Sequence, residues 1–139
     1  MLDALLSGLM LLVPAGTALT PPLPVHNASA LVWAVSSTLA DVIVIASEGP
    51  FVFTTSILTS AGPTALLVER NVTIEAASGV SAVLDAAASD ADPRRVLTVA
   101  GGASVEVRGV QLIGGVSTEW GGGARVEPGA TLRLVDSAV

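Results

Sequence analysis

Trp120 and the carboxylate before it, Glu119, are the residues best suited to meeting a ligand. They lie in Ser117-Thr118-Glu119-Trp120, ahead of Gly121-Gly122-Gly123, and an exposed indole beside a carboxylate can stack on a sugar or anchor a partner. The competing expectation is that Trp120 folds back over the protein wall. Asp85, Asp90 and Asp92 form the one acidic cluster, with hard oxygens of the kind that ligate Ca²⁺ weakly. Asp90-Ala91-Asp92-Pro93 reads first as a solvated turn, because Asp and Pro both favour one. Arg94-Arg95 after it reads as a solvated strand entrance. His26 is the single histidine, so one chain cannot build a His-dependent triad or a multi-histidine metal site. It is expected to be exposed in a linker. The serines have no partner base, and no helix follows the paired glycines as a phosphate-binding loop requires. The expectation is no catalytic residue, no metal and no cofactor.

Composition bounds what can hold these residues. The chain has 139 residues, 51% hydrophobic and 13% charged, far too apolar for a disordered polymer. Aromatics are 3%, so the core must be filled by Ala, Val and Leu. There is no Lys, and the six cations are all Arg. A net charge of −6 makes a nucleic-acid partner an expected absence. The absence of cysteine excludes a disulfide framework, a thiolate zinc site and a cysteine nucleophile.

Residues 1–20 read as a secretory signal: an apolar run from Ala4 to Val13, then Pro14 and the small stretch Ala15-Gly16-Thr17-Ala18. Asp3 stands where such signals carry a cation, and the run is too short to span a bilayer. Residues 21–39 read as a linker and N-terminal cap region. Thr20-Pro21-Pro22-Leu23-Pro24 favours extended chain, and Trp33 is expected to pack or cap. The apolar stretch Ala28 to Ala46 is interrupted by Ser36-Ser37-Thr38 and Asp41 and is not read as transmembrane. Asn27-Ala28-Ser29 and Asn71-Val72-Thr73 are glycosylation acceptors if the chain is exported in a eukaryote. Asn71 falls at a strand entrance, which hinders modification.

Residues 40–139 are short β-branched runs between turns: Val42 to Ile45, Phe51 to Phe53, Ala65 to Val68, Val72 to Glu75, Val83-Leu84, Val96 to Val99, Val105 to Val107, Val110 to Leu112, Val126 and Leu132 to Leu134. Val72/Ile74 flank Thr73, Val105/Val107 flank Glu106, and Leu132/Leu134 flank Arg133, which sends the aliphatics to one face. The segment also repeats. Shifted by 27, residues 99–112 fall on 126–139 with seven of fourteen positions identical or conservative, among them Val99/Val126, Gly102/Gly129 and Ala103/Ala130. Val72 lies 33 residues before Val105, and Val42 a further 30 upstream. Helix-free turns of chain near 30 residues suggest a solenoid, each coil adding ~4.8 Å, with Ala86 to Arg95 and Gly114 to Gly123 as protruding loops. A β-sandwich is the alternative.

Arg70-Asn71-Val72-Thr73-Ile74-Glu75-Ala76 followed by Ala82-Val83-Leu84-Asp85 resembles the opening coils of right-handed parallel β-helix proteins. Val99 to Gly115 and Val126 to Leu134 look like later coils of the pectin-lyase-like superfamily, in its polymorphic-outer-membrane-protein and adhesin-like branch. The resemblance implies an all-β chain, the N-terminal part of a right-handed parallel β-helix with about three to four coils, incomplete at Val139. It says little about activity, since one scaffold hosts many functions. The leading expectation is a non-catalytic, secreted or cell-surface module for adhesion or glycan contact, its partner a carbohydrate or cell-surface protein. The alternatives are a fragment of a polysaccharide lyase or glycoside hydrolase whose catalytic coils lie beyond Val139, and a non-functional gene fragment.

Overall fold

The structure, a computed structural model, describes residues 21–117 and 122–139. Two elements open it: strand β1 (Leu23–Val25) and helix α1 (Ala28–Ser36). Asn27 starts the helix, its Oδ1 accepting the Ala30 N–H at 2.8 Å and satisfying a first-turn donor. Leu31, Ala34 and Val35, at helical spacing, are the buried side. The helix stops at Ser36, and its last carbonyls are taken up from a distance. Arg70 donates to Val35, Ala34 and Ala40 carbonyls at 3.2, 3.0 and 2.7 Å. A guanidinium there satisfies orphan acceptors and complements the negative end of the helix.

The chain then passes through three sheets in turn. A first circuit uses β2 (Val42–Ile45), β3 (Gly49–Val52) and β5 (Gly62–Val68), with β4 (Ile57–Thr59) paired antiparallel to β5. The second uses β6 (Val72–Ala76), β7 (Ala82–Asp85) and β8 (Arg95–Val99), and the third β9 (Ser104–Arg108), β10 (Val110–Ile113) and β11 (Ala124–Val126). Finally β12 (Thr131–Val135) returns to the first sheet. The sheets are ordered β1-β2-β6-β9-β12, β3-β7-β10 and β4-β5-β8-β11, and every pairing except β4 with β5 is parallel. The protein is therefore mostly β, built on parallel sheets.

The register follows the sequence repeat. Val105 lies opposite Leu132 and Val99 opposite Val126, the 27-residue offset, while Val72 lies opposite Val105, the 33-residue offset. One offset differs: Ile43, not Val42, aligns with the inward row, facing Ile74 at 31 residues. The reason is burial. A one-residue slip would turn Ile43 and Ile45, both 0% exposed, out to solvent. The inward rows Ile43/Ile45, Val72/Ile74 and Val105/Val107 meet Leu84 and Leu112 of the second sheet and Leu66, Val68, Leu97 and Val99 of the third in one core. Each such aliphatic removed from water is worth roughly 1.5–3 kcal/mol. Helix α1 packs against β5, β1 and β2 and covers one end of that core.

Every run expected as a strand from Val42 onward overlaps one, with Phe53 falling just past the end of β3. Two parts of 21–39 differ from the sequence reading. Leu23–Val25, within the expected linker, forms a parallel edge strand against Ile43–Ile45, where Pro24 is tolerated. Trp33 stands outside the buried core. It is 55% exposed, because Leu31, Ala34 and Val35 occupy the inward side of the helix.

Candidate functional site

Successive outward residues of the first sheet fall into rows because the pairing is in register. Asn71, Ser104 and Thr131 form one row, and Thr73, Glu106 and Arg133 the next. Glu75 and Arg108 continue the pattern. The first two of these rows line an open groove of about 660 Å³ that also touches Asp41. Alternation makes this face polar, since the aliphatics between these positions point inward.

The groove's charges are organised. Glu106 pairs with Arg108 on its own strand and lies 3.9 Å from Arg133 Nε on the next. Asp41 lies 3.8 Å from Arg70. Asn71 Oδ1 accepts the Ser104 N–H at 2.8 Å, tying one strand entrance to the next. The face thus offers hydroxyls, an amide, a carboxylate and guanidinium groups, both donors and acceptors, over strands about 4.8 Å apart. Such a surface can hold a polyhydroxylated chain by many individually weak hydrogen bonds.

Glu119 and Trp120, expected as ligand contacts, lie outside the described residues. The described residues on either side are fixed: Val116 N–H donates to the Arg94 carbonyl at 2.9 Å, and Val96 and Leu97 N–H donate to Gly122 and Gly123 carbonyls at 3.3 and 3.1 Å. Gly115 and Gly122 approach so closely that a Cβ on Gly115 would collide with the Gly122 backbone. Asn27 is exposed and caps the helix, and Asn71 is exposed immediately before β6. His26 is exposed as expected, its Nδ1 2.7 Å from Ser47 Oγ.

Asp85, Asp90 and Asp92 are not gathered into a cation site, and among the described residues no three His, Cys, Asp or Glu side chains come together as metal ligands. Asp85 Oδ1 accepts the Ala87 N–H at 2.8 Å, and Asp92 pairs with Arg94 at 2.5 Å.

Arg94 and Arg95 correct the sequence reading outright. Expected as a solvated pair, they are 3% and 1% exposed. Arg94 Nη1 reaches the carbonyls of Ala86 at 2.5 Å and of Phe53 and Ala87 at 3.3 Å, while Nε donates to Ser56 Oγ at 2.8 Å. Arg95 Nη1 donates to the Ala61 carbonyl at 2.6 Å. Burial is tolerable because the corners of two circuits aim carbonyls at these guanidinium groups. The outward rows, by contrast, carried a usable signal: offsets of 33 and 27 already align Asn71, Ser104 and Thr131.

Among the described residues no helix is long and apolar enough to cross a membrane. Compared with family models, curated proteins and solved structures, the chain matches none.

Proposed function

We propose that the chain is a right-handed parallel β-helix, exported to the cell surface, that acts as a non-catalytic module contacting glycans. The three circuits support the architecture, because each returns to the same sheets in parallel register. The hand follows from the strong preference of parallel crossovers for the right-handed turn. Stacked circuits bury a continuous core and leave flat outer faces for binding.

The polar groove across β6, β9 and β12 carries the functional reading. A glycan lying along the stacking direction would meet a new row of donors and acceptors at each strand. Glu106, held between Arg108 and Arg133, presents carboxylate oxygens that can accept from sugar hydroxyls. A glycan array probed with the purified chain tests this. Binding to at least one class of oligosaccharide is expected, weakened about fivefold or more by Arg133→Ala, which removes a charge-assisted donor. An array with no binding, or affinity unchanged in both Arg133→Ala and Glu106→Gln, overturns the proposal. Export is checked by sequencing the N-terminus of cell-surface material, which should begin downstream of the small-residue stretch at Ala15 to Ala18. Material that retains Met1 and stays inside the cell contradicts it.

A further inference from the structure

The outer face of the third sheet carries a second cleft, away from the groove. Leu67 and Thr98 are register partners in β5 and β8. Their neighbours Leu66 and Leu97 are core residues, so Leu67 and Thr98 share the outward face. Both line a cleft of about 410 Å³ with Leu58, Glu69, Glu127 and Pro128.

Thr98 is 1% exposed, and its Oγ1 has no hydrogen-bond partner. Buried hydroxyls are almost always paired, because an unmade bond forfeits the hydration given up on folding. Thr98 lines the cleft, and its Oγ1 has both its donor and its acceptor capacity unused. At the mouth Glu69 is exposed and enters none of the ion pairs among the described residues. Glu127 is held by Arg125 Nε at 2.6 Å, which leaves Glu69 as the unneutralised charge. Leu58, 81% exposed, supplies an apolar wall.

A ligand that satisfies all three features carries a cation, a hydroxyl group and an apolar face. We propose that this cleft binds a protonated amino sugar, its ammonium on Glu69, a ring hydroxyl on Thr98 Oγ1 and its C–H face against Leu58. The assignment rests on the glycan-contact reading and adds a second subsite with a defined sugar class. A chain of net charge −6 also favours a cationic partner.

Calorimetric titration of the full chain with a glucosamine trimer, an N-acetylglucosamine trimer and a glucose trimer tests it, with the amine kept protonated. The glucosamine trimer is expected to bind about tenfold or more tighter than the other two, the worth of one charge-assisted hydrogen bond. Glu69→Gln should erase that preference, and Thr98→Val should weaken binding several-fold. Thr98→Val is close to isosteric and removes an orphaned hydroxyl, so its thermal midpoint should hold or rise, separating lost contact from lost fold. Glu48→Gln makes the same charge change outside the cleft, so a loss equal to that of Glu69→Gln would reveal bulk attraction and overturn the site. If the glucose trimer binds and is lost in Arg133→Ala while Glu69→Gln and Thr98→Val change nothing, the cleft assignment falls and the groove stands. If none of the three sugars binds, the cleft assignment falls, and the array decides the groove.

Discussion

Arg94 and Ala86 are joined across the corner of the second circuit by a guanidinium-to-carbonyl hydrogen bond of 2.5 Å. The same Nη1 lies 3.3 Å from the Phe53 carbonyl of the preceding circuit, so one side chain clamps two loops. The Arg94 carbonyl also receives the Val116 N–H of the third. Three successive corners therefore converge on this residue.

Arg94→Leu would leave the carbonyls of Phe53, Ala86 and Ala87 buried without that donor. The expected loss is about 2–4 kcal/mol, or roughly 6–12 °C in Tm for a chain of this size. Urea unfolding should show a lower midpoint with an unchanged slope. A loss below ~0.5 kcal/mol, the range of an ordinary surface substitution, would contradict the clamp.

Arg70→Ala removes the donor that closes the end of α1. A global cost of about 1–2 kcal/mol is expected. Its signature is local: amide hydrogen exchange should quicken across Leu31 to Ser36 and stay slow in Val105–Val107. Uniform acceleration through all three sheets would show that α1 is not a separately closing cap.

Gly109 and Asp136 occupy the same corner one circuit apart, each in the left-handed region with φ of +68° and +50°. Glycine adopts that conformation freely, whereas a side chain strains it. Gly109→Ala should cost about 1 kcal/mol, while Asp136→Gly should be neutral or stabilise by up to ~1 kcal/mol. Thermal unfolding of the two variants compares them directly. Equal effects of the same sign would break the equivalence of the two corners.

The strands were legible because alternation and repetition are local properties. Val105/Val107 and Leu132/Leu134 advertise one face each, and their 27-residue spacing became the register between β9 and β12. Val42 misled by one position, since a continuous Val-Ile-Val-Ile run has no polar residue to mark which side faces out. The helix was missed for a related reason. Its apolar residues merge with the following strand, and the Asn27 cap is a short-range signal inside a proline-bounded stretch. The groove could be assembled from the aligned polar positions. The cleft could not, because it brings Leu58, Leu67, Thr98 and Glu127 together from four different strands and turns.

The amino-acid sequence by itself determined that the chain builds short strands, that Val, Ile and Leu form their inner face, and that polar rows stand opposite one another at offsets of 27 and 33 residues. Period-two alternation needs no distant partner to be read. Only the tertiary structure decided that Arg94 and Arg95 are buried, that Arg70 caps a helix more than thirty residues upstream, and that the Thr98 hydroxyl is left unpaired. Each of those outcomes depends on which carbonyls and side chains converge in space from separate circuits. A charged or polar group is expelled to solvent or drawn inside according to whether its partners have been assembled around it, and that is a property of the packed fold.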